Sequence, residues 1–139
     1  HILNNITWEK PNPPPNLSCR FFTHSTETLL WAKKGKKAKH TFHYDAMKAQ
    51  NGGKQMKCVW QFTPPNKLEK TFGKHPTQKP LALLERCILA ASNPGDLLFD
   101  PFMGSGTTGV AALKHGREFC GCKVETDYFE LAQKRMKHD

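Results

Sequence analysis

Acidic residues are scarce: 12 Asp and Glu stand against 21 Lys and Arg, a formal charge of +9. That excess makes a cationic partner a poor candidate and points to an acidic one, nucleic acid or an anionic membrane surface. Apolar residues are also few, at 37%, below the usual globular share. No run of about 18 apolar residues occurs, which excludes a transmembrane helix, and no membrane partner is expected. With 139 residues the chain suffices for one modest domain, not for two well-packed ones. The opening His1-Ile2-Leu3-Asn4 has neither the basic-then-apolar pattern of a signal peptide nor a Met. It is expected to belong to the later part of a longer polypeptide.

A disulfide framework is missing as well. The five cysteines are odd in number, and their spacings match no familiar pairing. Cys120 and Cys122 would face the same way on a strand, so a metal pair is conceivable. The simpler reading is small apolar residues in a reducing, cytoplasmic setting. His40 and His43 come nearest to a ligand spacing but have no Cys pair to complete it. No metal site is expected.

Charge is unevenly spread. Lys33 to Lys79 holds twelve Lys against Asp45 and Glu69, a net of +10, and the remainder nets −1. Three zones follow. Residues 1–33 carry two strand-like pieces, Ile2 to Trp8 and Thr26 to Trp31, joined by a proline-rich stretch that must be extended or turn-like. Residues 34–74 are Lys-rich, with Gly52-Gly53, Pro64-Pro65 and interleaved aromatics. No period persists there, and an irregular, mobile insert is expected. Trp60 and Phe62 find their simplest use in a core.

Residues 75–139 are regular. Pro80 suits a helix start, and Leu81, Leu84, Ile88 and Leu89 give it an apolar face to about Ser92. Asn93-Pro94-Gly95 breaks it. Asp96–Asp100 reads as a short buried-type strand. A glycine-rich turn opens a helix that ends at Gly116, and Glu118–Val124 is a second strand. Thr126 suits an N-cap, Asp127 and Glu130 the first turn, and Lys134, Arg135 and Lys137 the last. Alternating helices and strands argue for an α/β fold with a parallel sheet.

Gly104-Ser105-Gly106-Thr107-Thr108-Gly109 fits G-x-G-x-x-G between strand and helix, where glycines let a ligand approach the backbone. Glu125 follows Gly104 by 21 residues, where a carboxylate accepts ribose hydroxyls. Asp127 is a later candidate for that role, and Lys123 stands where such acids often sit. These features describe a site for a nucleoside-containing cofactor. Dinucleotides place a pyrophosphate on the helix N-terminus, which the carboxylate in Asp100-Pro101-Phe102 would oppose. A cationic amino group suits it, and Phe102 offers a surface for adenine or a thioether. S-adenosylmethionine is favoured over a nicotinamide cofactor.

Asp100-Pro101-Phe102-Met103-Gly104-Ser105-Gly106-Thr107-Thr108 resembles the cofactor motif of the amino-methylating DNA methyltransferases, which modify adenine N6 or cytosine N4. His75-Pro76-Thr77-Gln78-Lys79-Pro80 resembles that family's other cofactor motif. The two start 25 residues apart and in the order of the beta group of bacterial restriction-modification systems. Thr7–Pro13 and Glu27–Lys33 resemble strands of its catalytic half. The resemblance implies a Rossmann-like S-adenosylmethionine methyltransferase fold, incomplete in this chain. It makes 1–33 the end of the catalytic half, 34–74 a target-recognition insert and 75–139 the cofactor half. It assigns His75, Thr77, Gln78, Lys79, Asp100, Phe102, Met103, Gly104, Ser105, Gly106, Thr107, Thr108 and Glu125 to the cofactor.

The family's Asp-Pro-Pro-aromatic tetrapeptide is absent: Asn12-Pro13-Pro14 is followed by Pro15, and Thr63-Pro64-Pro65 by Asn66. No catalytic residue is therefore assigned in this chain. The implied reaction is methyl transfer to adenine N6 in double-stranded DNA, with the base extruded from the stack. Cytosine N4, or a DNA-binding relative without catalysis, are the alternatives. Lys33, Lys34, Lys36, Lys37, Lys39, Lys54 and Lys57 are expected on phosphates, with Lys48, Lys67 and Lys70 extending the track. A homodimer and a cognate restriction endonuclease are the further partners the resemblance suggests.

Overall fold

A computed structural model describes residues 1–138. Alternation along β1 (Ile2–Glu9) puts Ile6 and Trp8 on one face, where both are buried. β2 (Thr26–Ala32) pairs antiparallel with β1, from Ile2 opposite Ala32 to Glu9 opposite Thr26. β3 (Val59–Gln61) pairs parallel on the other side of β1, giving the order β2-β1-β3. Trp60 lies opposite Trp8 in this register and is also buried. Both indole N–H groups are satisfied: Trp8 donates to the Phe62 carbonyl at 2.8 Å and Trp60 to that of Lys57 at 2.7 Å.

The expected irregular insert is thus corrected. Residues 34–74 contain α1 (Tyr44–Gln50) and β3, with Met47 and Trp60 in the interior. A 3-10 turn, Leu68–Lys70, follows. The backbone N–H of His43, just before α1, donates to the Ala90 carbonyl at 2.9 Å, tying the segment to the next helix.

That helix is α2 (Leu81–Ala91), with Pro80 at its cap position. It serves two cores. Leu83 packs with Ile6, Trp8 and Trp60, whereas Ile88 packs with Ala111 and Ala112. Burying Leu83 is worth about 2–3 kcal/mol, so the α2 contact is a main tie between the halves. The apolar face differs from expectation: Leu83, Ile88 and Ala90 are its buried members, while Leu81, Leu84 and Leu89 are half-buried. A helix between two sheets must be apolar on two sides.

β4 (Leu97–Asp100) and β5 (Glu118–Gly121) pair in parallel, connected by α3 (Thr107–Lys114). The chain ends in α4 (Thr126–His138). The α/β class holds, with its strands in two sheets. β4 is not buried on both faces as expected. Leu98 faces the core, but Leu97 and Phe99 are 64% and 62% exposed, since helix packing covers only the Leu98 side. Among the cysteines only Cys87 is a packed interior residue, and burial pushes its thiol up to about 11. Cys19, Cys58, Cys120 and Cys122 are exposed.

Candidate functional site

β4 stops at Asp100 because Pro101 has no N–H to continue a ladder. The chain turns there, held by Cys122 N–H to the Asp100 carbonyl at 3.1 Å and Met103 N–H to the Cys122 carbonyl at 3.3 Å. Asp100 then spans the turn. Its Oδ1 accepts from the Phe102 N–H at 3.0 Å, and its Oδ2 from the Thr108 hydroxyl at 2.7 Å. Gly104 and Gly106 adopt φ of +53° and +77°, the left-handed region where a side chain is disfavoured. At Gly106 a Cβ would also lie 2.8 Å from that of Ala132, so glycine lets α4 close on the turn.

Arg135, on α4, is buried under this turn. One guanidinium nitrogen, Nη1, donates to the Ser105 carbonyl at 2.8 Å, to Ser105 Oγ at 3.0 Å and to Thr107 Oγ1 at 2.9 Å. The sequence reading gave Arg135 only a role at the helix end. The overlooked signal is its spacing: Leu131, Ala132 and Arg135 share one face, and the first two are buried.

The opposite wall is the segment 75–79. The Thr77 N–H donates to His75 Nδ1 at 3.3 Å, and the His75 ring meets the Tyr128 ring edge-on at 4.4 Å between centroids. Burial first, then the Lys123 ammonium, push the His75 pKa below its ordinary value, with Glu125 pulling the other way. Gln78 is buried and donates from Nε2 to the Glu69 carbonyl at 2.7 Å. Glu69 Oε2 in turn accepts the Leu81 N–H at 2.8 Å, capping α2. Lys79 pairs with Glu27 of β2 at 2.6 Å, and Lys10 pairs with the same carboxylate at 2.7 Å. Burial raises the Glu27 pKa, but these two ammonium partners outweigh it and hold the carboxyl below its ordinary range.

Between the walls lies a cleft of about 260 Å³ lined by His75, Thr77, Gln78, Lys79, Asp100, Phe102, Met103, Gly104, Ser105, Thr107 and Thr108, together with Leu84 and Lys123. Gly106 lies behind the turn, against α4. Glu125 does not line the cleft, nor does it end a strand. β5 stops at Gly121, where its partner β4 reaches the proline, so Glu125 falls four residues beyond it. Its carbonyl accepts the Phe129 N–H at 3.0 Å, which makes it, not Thr126, the cap of α4. Its carboxylate is exposed and pairs with Lys123 at 2.6 Å, which lowers its pKa.

Lys34, Lys36, Lys37, Lys39, Lys54 and Lys57 are exposed and Lys33 half-buried, and among the described residues none pairs with a carboxylate. Their placement is informative. Lys33 and His1 bond at one end of the hairpin, whereas Glu27, linked to the cleft by Lys79, is at the other. The strand length separates the lysine run from the cleft end by roughly 23 Å.

A glycine turn braced from behind, facing a second loop across a cleft at the carboxyl end of a parallel strand, defines a ligand-binding α/β protein. The chain belongs to the DNA methylase family N6_N4_Mtase, whose model matches residues 1–134. It is 61% identical over 137 residues to the type II methyltransferase M2.DpnII of Streptococcus pneumoniae, covering 98% of this chain and 51% of that protein. It is 58% identical over 136 residues to the type II methyltransferase M2.LlaDCHI of Lactococcus lactis subsp. cremoris, covering 97% of this chain and 51% of that one. The chain thus spans about half the length of the curated relatives it matches. Among solved structures, the M1.HpyAVI-SAM complex superposes with a TM-score of 0.82 at 42% identity, over 97% of this chain and 62% of that one.

Proposed function

We propose that this chain forms the S-adenosylmethionine-binding and DNA-contacting part of a DNA amino-methyltransferase, and that the amine it serves is N6 of adenine in duplex DNA. The observation that carries the reading is the cleft at the end of β4, where a carboxylate fixed by two hydrogen bonds stands beside glycine backbone. The residues fit S-adenosylmethionine. Asp100 suits the ammonium of its methionine moiety. Phe102, 89% exposed at the cleft, and Met103 offer apolar surface to the adenine and thioether parts. Gln78 lines the cleft, and its buried Oε1 has no partner among the described residues; a ligand N–H or O–H would satisfy it. Exposed Glu125 is the candidate for the ribose hydroxyls, in competition with its Lys123 partner.

When bound, the cofactor supplies an electrophilic methyl group. This chain's part is to hold and orient. Arg135 and Asp100 keep the glycine turn in shape, and Glu69 and Glu27 anchor the segment 75–79. Such positioning is itself a large part of catalysis. The lysines neutralise phosphate; at about 3.4 Å per base pair, Lys33–Lys39 would sit on the order of seven base pairs from the cleft if the duplex follows the hairpin. A cognate restriction endonuclease and a cytoplasmic setting complete this proposal, on the restriction-modification resemblance of the sequence motifs.

The test is transfer of labelled methyl from S-adenosylmethionine to mixed-sequence duplex DNA by the full gene product, followed by digestion to nucleosides. Label in N6-methyladenine nucleoside is expected. Label in the N4-methylcytosine nucleoside would reassign the target. No label with cofactor binding intact would refute the catalytic reading.

A further inference from the structure

We propose that Phe21 and Phe22, in the connection from β1 to β2, form a rigid wedge that enters the base stack of duplex DNA beside an extruded base. The inference rests on the proposed function and assigns it a new contact surface. Phe21 is 79% exposed and Phe22 102%. Water does not favour such a pair, and a slack loop would fold both rings onto the protein. This loop is not slack. Asn16 Oδ1 accepts from the Ser18 N–H at 3.0 Å and the Ser18 hydroxyl at 2.7 Å, and Asn16 Nδ2 donates to the Phe21 carbonyl at 3.0 Å. The Cys19 N–H donates to the Asn16 carbonyl at 3.2 Å, and Pro13, Pro14 and Pro15 stiffen the approach.

Charge and place select the partner. No acid occurs between Lys10 and Glu27, while Lys10, Arg20 and His24 lie in or beside the loop. An apolar tip with basic flanks matches bases between phosphates. The loop also opens at the cleft end of the hairpin, where Lys10 and Lys79 share Glu27 and Lys79 lines the cleft. A base leaving the stack toward that cleft opens a gap, and apolar side chains fill such gaps while unstacking the neighbouring step.

The test uses the full gene product and a duplex bearing its methylation site, with 2-aminopurine in place of the target adenine. The wild-type protein is expected to raise the probe's fluorescence on binding. The double variant Phe21→Ala/Phe22→Ala should bind roughly tenfold or more weakly and show a smaller fluorescence rise at saturation. The rise should recover on a duplex whose target is already mismatched. Phe→Leu at both sites should retain part of the effect, and cofactor affinity by calorimetry should not change. An unaltered affinity and fluorescence rise in the alanine variant overturns the proposal. So does an equal loss on matched and mismatched duplexes. A fall in cofactor affinity or thermal stability overturns it too, since the rings then pack against the rest of the polypeptide. If the wild-type protein methylates no DNA, the proposed function itself fails, a result read before any variant is made.

Discussion

Arg135→Met tests whether the cofactor turn is shaped from behind by α4. Methionine keeps most of the apolar length of the side chain and removes the guanidinium. Three acceptors then lose their Nη1 donor: the Ser105 carbonyl, Ser105 Oγ and Thr107 Oγ1, at 2.8, 3.0 and 2.9 Å. A hydrogen bond to a charged group contributes about 1.5–3 kcal/mol. Three bonds from one nitrogen do not add fully, so the set is worth about 3 kcal/mol in holding the turn. If half of that ordering must be supplied by the ligand, the affinity for S-adenosylmethionine falls by about 1.5 kcal/mol, or roughly tenfold. Calorimetric titration measures the affinity. Hydrogen exchange of the amides of Gly104 to Thr108 measures the turn directly, and protection there should drop. Arg135→Lys, which can keep some of the bonds, should fall between the two. Wild-type affinity and protection in the methionine variant would refute the bracing role.

Asp100→Ala should weaken S-adenosylmethionine binding by roughly tenfold or more, on the scale of lost charged hydrogen bonds, because it also frees the Phe102 N–H and the Thr108 hydroxyl. Glu125→Ala should cost less than Asp100→Ala, its carboxylate being exposed and shared with Lys123; calorimetry of both ranks them, and the reverse order would restore Glu125 to the cleft. His75 adds a pH dependence. Its pKa lies below the ordinary 6.5 in the folded chain, so between that lowered value and 6.5 the unfolded chain binds the proton and the folded chain does not. Stability therefore rises with pH across this window and is lost as pH falls through it. Protonation also removes the Nδ1 lone pair that accepts from Thr77, so cofactor affinity should fall with it, and His75→Gln should flatten the profile. Replacing Lys36, Lys37 and Lys39 by Ala should lower DNA affinity and reduce its log–log salt slope by up to about 2.7; an unaltered slope in a fluorescence-anisotropy series would remove that run from the phosphate track.

What was legible in the residues was local. The Asp100–Thr108 turn could be read because proline, glycine and a carboxylate each act within a few residues of their own position. α2 and α3 could be placed from a proline start, a glycine stop and helical spacing. β3 could not. At three residues it has no period, and it exists because Thr7, Trp8 and Glu9 pair with Val59, Trp60 and Gln61 across more than fifty positions. The expected strand to Val124, which would have put Glu125 at its end, stops short for a related reason: β5 ends at Gly121, where its partner β4 meets its proline.

Glu69 shows most directly what non-local folding adds. It lies in the stretch read as an insert apart from the cofactor half, and is one of two acids against twelve lysines between Lys33 and Lys79. In the fold its backbone carbonyl holds Gln78 and its carboxylate caps the N-terminus of α2. The 3-10 turn that carries it is itself closed by Asn66, whose side chain accepts the Glu69 N–H at 3.0 Å. The turn that carries Glu69 is therefore tied to the wall of the cleft by two hydrogen bonds, from the Gln78 side chain and from the Leu81 N–H. Lys67 and Lys70 flank Glu69 in sequence, so the proposed phosphate track and the wall of the proposed cofactor cleft meet on one short turn.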